Sequence, residues 1–261
     1  MPGRFANLEF DDGEKRVTKD SAVATKKYDA DTYLAQANEE YRWGQFEQAL
    51  RLYTRSLERS RTMIPAWVGQ VQMLVQLDEC HEARVWSDKA LELFRNNGEL
   101  LAAKSQACMR LKDKQAALAC SDASLQVPGS SPWRWTARGE VLLATGQKHA
   151  EDCFQKALLE PHTDWFDRVI VGRIYLYYRR ASNALYYIQA AMELAAANGY
   201  VWFEKGNCER ELGLASAAAG SYETCLELRP DYREARLALD ALATGSSMMQ
   251  RLRSFFSLRR R

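Results

Sequence analysis

The sequence predicts an all-α protein: a stack of about six helix pairs with a further helix closing the C-terminal end. Three observations carry that expectation. Alanines recur at a near-constant interval, small and large side chains keep fixed offsets from them, and strand signals are missing. Only six prolines occur, and no segment alternates apolar with polar side chains over a strand's length, which leaves helix as the dominant local preference.

Ala49, Ala83, Ala117, Ala150, Ala184 and Ala218 stand 34, 34, 33, 34 and 34 residues apart. Alanine is common, so its company matters more than its spacing. Seven residues after each comes a small side chain: Ser56, Ala90, Ser124, Ala157, Ala191 and Cys225. Eight after comes a large apolar one: Leu57, Leu91, Leu125, Leu158, Met192 and Leu226. Twelve before, or eleven in the fourth unit, stand Ala37, Val71, Ser105, Gly139, Gly172 and Gly206. Tyr33, Trp67, Trp135 and Trp202 open four of the units, and Gly44, Gly146 and Gly213 mark turns. Two antiparallel helices per unit follow from this pattern. Small residues let the backbones approach, and large ones fill the groove beside them. One such pair cannot bury its apolar face, so neighbouring units must stack.

These residues resemble the tetratricopeptide-repeat (TPR) family. Trp135, Gly139, Leu142, Gly146, Ala150, Phe154 and Ala157 carry its signature, as do Trp202, Gly206, Gly213, Ala218, Tyr222 and Pro230. The resemblance runs from about Asp31 to Pro230. It implies a right-handed α-solenoid used as a scaffold for other proteins, with the first helix of each unit lining a concave surface. It is specific for fold and unspecific for client. The third unit departs from the pattern with Leu101 for the aromatic and Lys112 for the turn glycine. The fifth has Arg168 for the aromatic and no turn glycine near Arg179-Arg180, and the fourth lacks one residue between Gly146 and Ala150.

Four regions are expected: a loosely attached segment over residues 1–29, six repeats over 30–230, a capping helix over 231–243 and a basic amphipathic stretch over 244–261. The first is rich in charges of both signs, and its apolar Phe5–Phe10 run either straps the first repeat or docks a partner. Tyr232, Ala235, Leu239 and Leu242 recur at helical spacing, as a cap requires. In the last stretch Phe255 and Phe256 share a helical face with other apolar residues, beside Arg251, Arg253, Arg259, Arg260 and Arg261. Such a helix caps the stack, attaches to an acidic surface, whether anionic membrane or protein, or touches nucleic acid.

Catalysis is not indicated. Neither GxxxxGK[ST] nor GxGxxG occurs, and no CxxC pair joins the three histidines His81, His149 and His162 into a metal site. A cysteine or serine nucleophile needs a base at hand, and these histidines are scattered. The six cysteines read as free packing thiols of a reducing compartment. With no apolar leader and no run long enough to cross a bilayer, the expected setting is cytoplasmic. The net charge of +2 argues against a protein coated in positive charge for nucleic acid. No cofactor and no metal are expected.

If first helices line the concave surface, as the resemblance implies, then Asn38, Gln72, Gln106, Glu140, Arg173 and Asn207 form a polar column along it. Carboxamides both donate and accept, so such a column can pair with an extended peptide backbone. Tyr41, Phe166, Tyr177, Tyr200 and Phe203 supply aromatic anchors, the residue type that dominates interface energetics. The chaperone-binding members of the family grip a terminal carboxylate with basic and amide side chains. Of the matching Leu34, Asn38, Gly69, Glu99 and Ala103, only Asn38 suits that task, which argues against such a clamp. The leading expectation is an adaptor or assembly scaffold with a peptide-binding groove, a role compatible with a homo-oligomer. The alternative is a recruited spacer protein held to an acidic membrane or complex by its basic C-terminal helix.

Overall fold

The computed structural model describes residues 28–244, and it divides into two compact units at Pro161 and His162. In the first unit, α1 (Ala30–Arg42) pairs with α2 (Phe46–Arg59), and α3 (Ile64–Gln76) with α4 (Cys80–Leu93). There α5 (Gly98–Arg110) pairs with α6 (Lys114–Gln126), and α7 (Pro132–Ala144) with α8 (Ala150–Leu159). In the second unit, α9 (Trp165–Tyr177) pairs with α10 (Ala181–Ala195), and α11 (Gly199–Glu211) with α12 (Ala215–Leu228). A further helix, α13, occupies 233–244. No strand occurs among the described residues.

Each helix pair closes through the same turn. One residue takes a left-handed conformation: Gly44, Asp78, Lys112, Gly146, Arg179 and Gly213, with φ between 59° and 77°. The next amide then donates back to a carbonyl five residues earlier, from Gln45 to Glu40 through Leu214 to Glu209, at 2.9 Å in all six. This is the six-to-one bond of a Schellman ending, and it uses up a carbonyl that the helix itself leaves unpaired. Glycine suits the left-handed position because it has no Cβ to clash. Asp78, Lys112 and Arg179 hold it anyway, so the turn is set by the stacking around it. The residue missing between Gly146 and Ala150 shortens the following helix: α8 has 10 residues where α2, α4 and α12 have 14.

The alanine ladder lies in the core. Ala49, Ala83, Ala117, Ala184 and Ala218 are 0% exposed and Ala150 is 4% exposed. The small residues seven positions on are buried as well, and two of them are hydroxyls with a bonding task. Ser56 Oγ donates to the carbonyl of Ala30 and Ser124 Oγ to that of Gly98, both at 2.8 Å. Each bond ties the end of a second helix to the start of its own first helix. Glycine on first helices admits a ring from the second: a Cβ on Gly139 would lie 2.5 Å from Phe154, and one on Gly206 2.5 Å from Tyr222. The large apolar residues at the eighth offset are only half-buried, apart from Leu57. They flank the packing seam that the ladder forms.

Helix starts are set locally. Asp29, Asn97, Ser131 and Asn198 accept from an amide in the first turn, and Asp164 with Asp167 forms a reciprocal capping box before α9. The opening tryptophans brace the loops in front of them. The indole of Trp67 donates to Arg61 O at 2.8 Å, that of Trp202 to Ala196 O at 2.7 Å, and that of Trp135 to Ser130 Oγ at 3.1 Å. The aromatic that marks a repeat in the sequence therefore packs and also fixes the entry of the chain into the next helix pair.

Candidate functional site

The first helices of each unit lie side by side: α3, α5 and α7 pack in succession in the first unit, and α9 beside α11 in the second. Their predicted groove residues meet different fates. Gln106 and Glu140 are fully buried and bonded to each other, Nε2 to Oε2 at 2.6 Å. Arg110 completes the cluster, donating from Nε to Glu140 Oε1 at 2.8 Å and from Nη1 to the Val75 carbonyl at 2.7 Å. This network joins α3, α5 and α7 from within. Gln106 and Glu140 are thus not open to a peptide, contrary to the sequence expectation, because these helices approach closely enough for Gln106, Arg110 and Glu140 to bond across them.

The aromatic anchors also divide. Tyr200 is 1% and Phe166 7% exposed, their ring centroids 6.4 Å apart, so both are core residues of the second unit. Burial raises the Tyr200 hydroxyl well above its ordinary pKa. Phe203 is half-buried, with ring centroids 5.8 Å from Tyr222 and 5.1 Å from Tyr232. It joins α12 to the residues leading into α13. Tyr41 is half-buried against Phe46 at 6.0 Å, and Gln72 is half-buried on α3. Of the apolar neighbours, Val75, Met109, Trp133, Leu143 and Val169 are buried.

Asn38 and Asn207 share one arrangement at opposite ends of the repeats. Tyr53 donates its hydroxyl to Asn38 Oδ1 at 2.7 Å, and Tyr222 donates to Asn207 Oδ1 at 2.9 Å. In both cases the second helix of the pair orients the carboxamide of the first and occupies its acceptor. Burial pushes the Tyr222 hydroxyl up to about 12.

Three predicted residues converge. Arg173, Tyr177 and Asn207 line a cleft of about 360 Å³ between α9 and α11, together with Leu176, Arg179, Glu204, Arg210 and Glu211. Glu204 is the buried pivot, 1% exposed. Arg173 donates to its Oε1, and Asn207 Nδ2 donates to its Oε2 at 3.2 Å. Burial disfavours the charge on Arg173, but Tyr200 and Glu204 beside it outweigh that and hold its pKa above the ordinary value. At the rim Arg179 Nη1 meets Glu211 Oε2 at 2.7 Å. Tyr177 is 38% exposed and stands edge-on to Tyr178 at 5.0 Å.

Sequence reasoning missed Glu204, Arg210 and Glu211. Glu204 did leave a signal: the equivalent positions in the other five units are Ala35, Gly69, Ala103, Ala137 and Ile170. A lone carboxylate where small or apolar residues otherwise stand points to a partner nearby, here Arg173.

No other chemistry gathers. Among the described residues, no group of three or more His, Cys, Asp or Glu side chains could hold a metal ion, and no helix is long and apolar enough to cross a membrane. Burial raises the thiol of Cys80 to about 12, that of Cys225 to about 12 and that of Cys108 to about 11, far from the reactive thiolate range. The proposed attachment residues Arg251, Arg253, Phe255, Phe256, Arg259, Arg260 and Arg261 lie outside the described residues.

Six helix pairs, one recurring turn and an alanine seam define the tetratricopeptide-repeat fold, and this chain has it. Over 155 residues it is 30% identical to Superkiller complex protein 3 of Mus musculus, a match covering 58% of this chain and 10% of that one. The chain thus spans about a tenth of that relative's length. Among solved structures, it superposes on a monomeric mutant of IFIT1 bound to m7Gppp-AAAA with a TM-score of 0.50 at 15% identity, covering 85% of this chain and 66% of the other. A tetratricopeptide repeat protein from Parabacteroides merdae gives a TM-score of 0.49 at 15% identity, covering 82% and 84%. No family model matches the chain.

Proposed function

We propose that this chain is a protein-interaction scaffold that holds a partner segment in the cleft between α9 and α11. The observation that carries the reading is the convergence there of an exposed tyrosine, a leucine and oriented polar groups. Tyr177 and Leu176 offer apolar contact, and Asn207, held by Tyr222 on its oxygen and by Glu204 on its amide, lines the same space as Arg173. Rigid aromatic surface beside fixed donors is what concentrates binding energy at an interface. The closed α3–α5–α7 network supports confining the peptide site to the second unit. It ties the second to fourth helix pairs together and takes Gln106 and Glu140 out of the polar column.

The test compares full-length chain with Tyr177→Ala and with the exposed α12 variant Glu227→Ala, in affinity capture from the native host followed by titration of the captured partner. Tyr177→Ala should weaken the partner by about 1–2 kcal/mol, as loss of an aromatic anchor does, and Glu227→Ala should leave it unchanged. A partner that ignores Tyr177→Ala binds elsewhere. If truncation after Thr244 releases it instead, the energy sits in the basic C-terminal segment and the cleft reading is wrong.

A further inference from the structure

The charges of the α9–α11 cleft do not cancel, and the excess says what the occupant carries. Its lining holds three guanidinium groups and two carboxylates: Arg173, Arg179 and Arg210 against Glu204 and Glu211. Glu204 is committed to Arg173 and Asn207, and Glu211 to Arg179. Arg210 is exposed and makes no ion pair among the described residues. One positive charge of the lining therefore stands without a carboxylate partner among the described residues, in the cleft that Leu176 and Tyr177 also line.

We infer that the cleft receives a partner-protein segment in which an internal Asp or Glu side chain meets Arg210 and a neighbouring bulky apolar residue lies on Tyr177 and Leu176. This rests on the reading of the cleft as the binding site and adds the chemistry of its occupant. A guanidinium presents a planar fork of donors that matches a carboxylate, and a charge-assisted pair of this kind is stronger than a neutral hydrogen bond. A side-chain carboxylate is favoured over a chain terminus by the donors on hand. Holding a terminus takes several converging free donors, and here two of the three guanidinium groups are already engaged.

Two libraries of ten-residue peptides, acetylated and amidated at their ends, test this on the full-length chain. Both fix Leu at one central position; one fixes Glu beside it and the other Gln. Affinity selection followed by fluorescence polarisation on single sequences should favour Glu over its Gln counterpart by about tenfold or more, the range for a hydrogen bond to a charged group. Arg210→Gln should reduce that preference to about twofold, Arg210→Lys should keep part of it, and raising the salt should weaken the Glu peptides selectively. Both arginine substitutions fall on exposed surface, and circular dichroism checks that the fold is kept. Equal binding of Glu and Gln peptides, lost in Tyr177→Ala, would overturn the charge inference and leave the cleft reading standing. A parallel library with a free C-terminal carboxylate that binds where the amidated ones do not would overturn the internal side chain. No binding, or binding indifferent to Tyr177→Ala, would overturn both.

Discussion

Replacing Glu140 by Leu tests whether the middle of the first unit is locked by its own polar groups. In the native chain the Glu140 side chain is 0% and the Arg110 side chain 6% exposed. The substitution conserves much of the volume but takes its carboxylate partner from the buried Arg110 guanidinium, which keeps the Val75 carbonyl, and it removes the acceptor of the Gln106 amide. Removing one member of a buried ion pair costs about 3–5 kcal/mol, because the other charge stays desolvated. At a urea slope of about 2–3 kcal/mol/M, that lowers the unfolding midpoint by about 1–2.5 M. Far-UV circular dichroism and tryptophan fluorescence should both be followed, since repeat proteins can unfold in parts. The triple change Arg110→Met, Gln106→Leu and Glu140→Leu removes every charge at once and should recover most of the loss, leaving a net effect within about 1 kcal/mol. A shift below about 1 kcal/mol for Glu140→Leu alone would refute the lock. It would mean that water or a mobile Arg110 satisfies the site, and Glu140 would return as a groove residue.

Two glycines of the second unit should respond with opposite signs. Gly206→Ala drives a methyl to within 2.5 Å of the buried Tyr222 ring and should destabilise by about 1–3 kcal/mol, whereas Gly220→Ala, with nothing within 4 Å, should stabilise α12 by about 0.5–1 kcal/mol; urea midpoints decide both. Stability should also fall in alkali. Burial holds Cys80, Cys225 and Tyr222 at about 12 and Cys108 at about 11. The same groups ionise near 8.5 and 10 in the unfolded chain, so their contribution is complete below about pH 8 and is lost as the pH climbs towards the folded values. Urea midpoints at pH 7, 8.5 and 10.5 should be flat at first and then decline, and a midpoint that holds or rises at pH 10.5 would contradict the burial.

The repeats were legible because close helix packing admits few side chains. Where two backbones touch, only Ala, Ser, Cys or Gly fits, so Ala49 through Ala218 and Ser56 through Cys225 write the fold into the sequence by exclusion. The turns were half legible. Gly44, Gly146 and Gly213 announce a left-handed residue, but Asp78, Lys112 and Arg179 adopt the same conformation without a sequence mark, under the force of the stacking on either side. The groove was least legible, and for a reason of distance. Helical periodicity places Gln106, Glu140, Arg173 and Asn207 on equivalent faces, but it cannot tell how near the adjacent first helix comes. Between α5 and α7 the gap is short enough for Gln106, Arg110 and Glu140 to bond across it, and the column is consumed as structure. Between α9 and α11 the side chains leave a cleft, because Arg173 turns onto the buried Glu204 and draws its charge inward, leaving Tyr177 and Arg210 exposed along the rim. Identical register thus yields a strut in one unit and an open cleft in the other. The residue that separates the two outcomes, Glu204, occupies a position where the repeat pattern asks only for something small or apolar.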